Sequence, residues 1–131
     1  MTVREIYEGA LRLMSEDADD ERNDDYAERT PYVMATFCSQ VSGTDSVIRK
    51  LSGESEANSY SPVYLSLEDE FPLLDVFVAP AMLYLAAMLV IDYDAELYDR
   101  FFTRYCDAIS QICDTTAGVC EKTSDRYFTE Q

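Results

Sequence analysis

The chain has 131 residues, the size of one domain, and 47% of them are apolar, which suits a packed core and excludes disorder throughout. With 26 Asp and Glu against 10 Lys and Arg, its formal net charge is −16, so its surface repels nucleic-acid phosphates and anionic membranes. It contains no His, which removes His-based triads and the commonest metal ligand.

The first predicted element is a helix opened by Thr2. Thr2-Val3-Arg4-Glu5 fits a capping box, and Val3, Ile6, Tyr7, Ala10, Leu11 and Met14 then recur at helical spacing. This charged start lacks the apolar run of a signal peptide, so the four cysteines are expected to be reduced thiols in a cytoplasm. Residues 15–25, S-E-D-A-D-D-E-R-N-D-D, form an acidic connection. A second helix is expected from about Tyr26 to Val41, with Val33, Met34, Phe37, Cys38 and Val41 on one face. Pro31 is expected to start a fresh first turn inside it, because proline cannot donate to the preceding ladder.

Residues 42–66 carry Gly43, Gly53, Pro62 and seven serines, and they read as a long irregular connection. Ser46-Val47-Ile48 and Val63-Tyr64-Leu65 could pair there as a small hairpin. Arg49 and Lys50 form an adjacent basic pair in an acidic protein. Ser66-Leu67-Glu68-Asp69 reads as a cap and Pro72 as a first-turn residue of the third helix. From Leu73 to Ile91 nineteen residues run almost entirely apolar, close to the roughly 20 that cross a bilayer. Asp75 falls within them, Pro80 breaks the middle, and no Lys or Arg cluster flanks either end, so a buried core helix is preferred to a membrane span. Asp94 caps the last long helix, in which Leu97, Tyr98, Phe101, Phe102, Tyr105, Ile109 and Ile112 recur every three or four residues.

The pattern is that of an all-α protein: a small bundle of about four to five helices with a long irregular connection at 42–66. Residues 1–114 form the helical bundle domain and residues 115–131 a polar C-terminal tail.

Asp17, Asp19, Glu21, Asn23, Asp25 and Glu28 occupy the alternating positions of a 12-residue calcium loop, and oxygen ligands at that spacing are what Ca²⁺ takes. Arg22 stands where the sharp turn wants glycine and Asp24 where an apolar residue is expected, so a solvated acidic loop is the preferred reading and the six are weak metal candidates. Cys106, Cys113 and Cys120 are seven apart, too far for the close thiol pairs of zinc sites, and together with Cys38 they are expected to be buried as small hydrophobes. Ten tyrosines include Tyr84, Tyr93, Tyr98 and Tyr105 around the last two helices, where amphipathic rings suit core edges and subunit interfaces. No phosphate loop or nucleophile elbow is present, so the chain is read as no enzyme, with no catalytic residues and no cofactor.

The order of segments carries a resemblance. T-V-R-E-I-Y-E-G-A-L is followed by an acidic loop and D-Y-A-E-R-T-P-Y-V-M, then L-S-L-E-D-E-F-P-L, then A-P-A-M-L-Y-L-A-A-M-L-V-I-D-Y-D-A-E-L-Y-D-R-F-F-T-R-Y. Over residues 2–112 this resembles the small head–tail connector (adaptor) proteins encoded in the morphogenesis modules of tailed phages and prophages. The resemblance implies a structural protein whose copies form a ring at the portal and line or extend the DNA passage. DNA would be met by passage only, and no membrane is involved. It also implies portal and other head–tail virion proteins as partners, assembly in the host cytoplasm and a place in the virion. The candidate interface residues are Arg49, Lys50, Tyr60, Tyr64, Tyr84, Tyr98, Phe102 and Tyr105. The alternative is an acidic binding module, a DNA mimic or a neutraliser of a basic partner. A mimic needs carboxylates in rows on folded faces, whereas eight of the 26 acids lie between Glu16 and Glu28 in an expected loop.

Overall fold

The computed structural model describes residues 1–16, 20, 23–57 and 59–128, with side chains followed to residue 116. It is an all-helical bundle of α1 (Val3–Leu13), α2 (Asp24–Ser52), α3 (Val78–Val90) and α4 (Ala95–Phe128), and its only paired extended residues, among those described, are Thr2 and Glu70.

The apolar segment that could have been a membrane span is α3, the centre of the bundle. Its face against α1, α2 and α4 leaves nine of its 13 residues buried, among them Leu83, Leu85, Ala86 and Leu89. No described helix is long and apolar enough to cross a membrane. Around α3 close Ile6 and Leu11 from α1 and Met34 and Phe37 from α2, all fully buried, with Phe101 and Tyr105 from α4 also inside. Where α1 meets α3, a Cβ at Gly9 would stand 2.6 Å from the end of Met82, a flexible side chain that would have to turn aside.

The N-terminal end of α1 is held by atoms the sequence made visible only in part. Thr2 Oγ1 accepts the Glu5 N–H at 3.3 Å, as the capping box requires. The Val3 and Arg4 N–H groups, which no helical carbonyl can serve, donate to Asp69 O (2.9 Å) and Leu67 O (2.8 Å). The Ser66–Asp69 segment is therefore a tight turn docked on α1 and does not start a helix: Asp69 N–H donates to Ser66 O, and Ser66 N–H to Asp69 Oδ2.

Several expectations are corrected. α2 runs unbroken from Asp24 through Pro31 to Ser52, so the expected first turn at Pro31 and the end at Val41 both fall. Thr30 Oγ1 donates to Tyr26 O at 2.7 Å and Leu65 N–H donates to Pro31 O at 3.0 Å, so the helix is tied to a side chain and to the connection on either side of the proline. Residues 42–52 are accordingly helical and the Ser46–Ile48 hairpin strand does not exist; the irregular connection is 53–74. α2 stops at Gly53, whose φ of 73° is left-handed. Glu54 N–H returns to Arg49 O (2.8 Å) and Gly53 N–H to Lys50 O (3.3 Å), closing the last turn. α3 begins at Val78 after a single 3₁₀ turn, Asp75–Phe77, so Pro72 precedes the helix and Pro80 lies in its first turn, where its missing N–H costs nothing.

Asp94 caps α4 as expected, its Oδ1 accepting Leu97 N–H at 3.0 Å. α4 then continues as one helix across the 114/115 position to Phe128. At about 1.5 Å per residue its 34 residues span about 51 Å, against about 20 Å for the 13 of α3.

Candidate interaction surface

Among the described residues, the candidate calcium ligands form no metal-holding group. Asp17, Asp19 and Glu21 lie outside the described residues. Asn23 is buried and its amide donates to Glu16 Oε2 at 3.2 Å, while Asp25 and Glu28 stand exposed on the first turns of α2. Asp25 is engaged by Arg29, whose Nε lies 3.2 Å from Asp25 Oδ2. No group of three acidic, Cys or His residues that could hold a metal ion occurs among the described residues.

Arg49 and its neighbour Lys50 serve different ends. Arg49 turns inward onto Asp45, a carboxylate only 1% exposed, with Nε 2.8 Å from Oδ2. The other Asp45 oxygen accepts Leu74 N–H at 2.9 Å. The Arg49 nitrogens also donate to Ser55 O (3.0 Å) and Pro72 O (3.2 Å). This clasp fastens both ends of the 53–74 connection to α2, so Arg49 holds the fold together and is not free to meet a partner. Lys50 is exposed.

The aromatic candidates also divide. Tyr84 and Tyr105 are buried, ring centroids 5.1 Å apart, and both touch Phe37, at 5.6 and 6.2 Å. Loss of water around them pushes both phenols above their ordinary pKa, with a Gln40 hydrogen bond working against the rise at Tyr84. They are core residues and not surface contacts. Phe102 and Tyr98 continue the stack outward, each half-buried, with centroids 5.3 Å apart. Tyr60 is half-buried against the core, and Tyr64 is exposed, edge-on to Tyr32 at 5.3 Å.

Two clefts border these residues. One lies between the start of α1, the first half of α2 and the 64–68 turn, and holds Arg4, Arg29, Tyr32 and Tyr64. Its cations are already engaged: Arg4 pairs with Glu68, and Arg29 Nη2 donates to Leu89 O at 2.9 Å, closing the carbonyl end of α3. The second is a groove of about 670 Å³ between the end of α2, the start of α3 and the middle of α4. Ile48, Leu51, Val76, Pro80, Ala108 and Ile112 form its apolar lining, and among the described residues no charged side chain lines it. Leu51 and Val76 stand 48% and 49% exposed. On a chain of net charge −16, an uncharged apolar hollow of this size is the surface feature that asks for a partner.

The cysteines correct another expectation. Cys38 is buried as expected, and loss of water pushes its thiol up to about 12. Cys106 and Cys113 are exposed on α4, because the seven-residue step places them off the face that α3 covers. Cys120 lies beyond the side chains described.

The groove escaped sequence reading because two of its walls, residues 48–52 and 76, fall in stretches that appeared irregular or membrane-like. Asp45 and Arg49 did carry a signal, an acid and a base four apart, the spacing of helical ion pairs. Compared with protein-family models, curated proteins and solved structures, the chain finds no match.

Proposed function

We propose that the chain is a structural head–tail connector (adaptor) of a tailed phage or prophage, whose copies assemble into a ring at the portal and line or extend the DNA passage. The observation that carries this reading is the pairing of an acidic exterior with an uncharged apolar groove. Carboxylates on a channel wall keep passing DNA from sticking, while an apolar hollow supplies an attachment that charge repulsion does not penalise. The segment order from Thr2 to Ile112 adds its resemblance to connector proteins. The Asp45–Arg49 clasp supports it further, because it holds the 53–74 connection in a fixed path with Tyr64 and Val63 exposed, an arm able to meet a neighbour.

The test is to mix the purified chain with portal rings assembled from the portal protein of the same phage or prophage genome. Sedimentation and negative-stain imaging should show an added ring stacked on the portal. If the chain leaves portal rings unaltered and instead forms a stoichiometric complex with a basic protein of the same genome, it is an acidic binding module.

A further inference from the structure

We infer that the groove between α2, α3 and α4 takes the C-terminal segment of α4, residues 117–128, from a second copy of this chain. This rests on the self-assembly part of the proposed function and needs nothing of the portal.

The first ground is reach. α4 extends about 18 Å past Thr116, the last of its residues to line the groove, at about 1.5 Å per residue. A terminal stretch of helix gains most of its stability from packing against another element. The chain cannot supply that packing by folding the segment into its own groove, because Ala108 to Thr116 are one wall of the groove and 117–128 continue the same helix away from it. A second copy can.

The second ground is charge. Between residues 115 and 128 Glu121 and Asp125 are balanced by Lys122 and Arg126, so this stretch is neutral and the entire net charge of −16 sits on the rest of the chain. The rest of the chain is acidic on balance, so two copies that approach through their acidic surfaces repel each other. The neutral segment meets an uncharged groove, and exposed Asp75, Asp107 and Asp114, each next in sequence to a lining residue, have the sign that suits its two cations. Lys50, next to Leu51, faces the two acids of the segment with the opposite sign.

Light scattering of the full chain across concentration, with three variants, tests the pairing. Leu51→Glu puts a charge on an exposed position of the groove; Lys122→Glu with Arg126→Glu makes the segment as acidic as the body; Ile91→Glu, 43% exposed at the end of α3 away from the groove, is the control. Circular dichroism first establishes that all three retain wild-type helicity. The first two are expected to move the midpoint of association at least tenfold upward in concentration and the control to leave it in place. Mixing the groove variant with the segment variant should restore association, since the first still offers an intact segment and the second an intact groove. Association of both variants at wild-type concentrations would overturn the inference and leave self-assembly through another surface. A mixture that stays monomeric overturns the pairing of segment with groove. A wild-type chain monomeric at all concentrations also overturns it, and the portal experiment then decides the wider reading alone.

Discussion

Asp45→Ala is the substitution that probes the architecture most sharply. The carboxylate is 1% exposed, holds Arg49 Nε at 2.8 Å and accepts Leu74 N–H at 2.9 Å. Its removal strands a backbone N–H, at about 1–3 kcal/mol, and leaves the guanidinium without a counter-charge. Breaking a buried ion pair from one side costs about 3–5 kcal/mol, but Arg49 keeps Ser55 O and Pro72 O as acceptors and is 15% exposed, which places the total near 3 kcal/mol. A domain of this size holds about 5–15 kcal/mol in all and shifts by about 4 °C per kcal/mol, so thermal unfolding should fall by about 12 °C. Asp45→Asn keeps an oxygen for Leu74 N–H and should lose about half as much. Urea unfolding gives the free energies, and hydrogen exchange should show the largest loss of protection at Leu74 and nearby in 53–74. A loss below about 1 kcal/mol for Asp45→Ala would refute the claim that this clasp fixes the connection.

Phe37→Ala should be as damaging, at about 3–5 kcal/mol in urea unfolding, because the ring is fully buried and stacks against Phe71, Tyr84 and Tyr105. Maleimide labelling of the native protein at neutral pH should modify Cys106 and Cys113 within minutes and spare Cys38 until the chain unfolds, with peptide mapping as the readout. The fold raises the Cys38 pKa to about 12 from an ordinary 9.0, so the folded state holds its proton more tightly than the unfolded one. That contribution is complete below pH 9 and is lost as pH rises towards 12; Cys38→Ala should therefore flatten the alkaline fall in stability over this window.

Helix identity was legible wherever one apolar face repeated without interruption. α1, with its Thr2 cap, and α4, with its Asp94 cap, begin where their sequences place them. α3 was legible from its continuous apolar run, although its first residue was not. What sequence reading mistook was the second half of α2. Residues 42–52 contain glycine, three serines and β-branched residues, all poor helix formers in isolation. The helix persists there because Val41 and Asp45 turn inward, the latter to the Arg49 and Leu74 partners that only the folded chain brings together. The same tertiary override carries α2 through Pro31. Of the candidate interface set, Tyr84 and Tyr105 are buried for a related reason: aromatic residues facing each other across α3 and α4 pack against each other and Phe37. The groove was invisible because its walls come from three segments far apart in sequence.

Salt separates the two functional readings without any substitution. A chain of net charge −16 that binds a basic partner gains its affinity from opposite charges, so rising ionic strength weakens it. Self-association through an uncharged groove works in the reverse sense. The apolar contact is indifferent to salt, while the repulsion between two acidic bodies is screened as the Debye length falls from about 10 Å at 0.1 M to about 3 Å at 1 M. Light scattering at fixed protein concentration should therefore show mass increasing between 0.05 and 1 M NaCl, on the order of tenfold in association constant for each ~1.4 kcal/mol of repulsion removed. Oligomers that fall apart over this range would mean that opposite charges, and not the groove, hold the copies together; the acidic face would then be the binding surface.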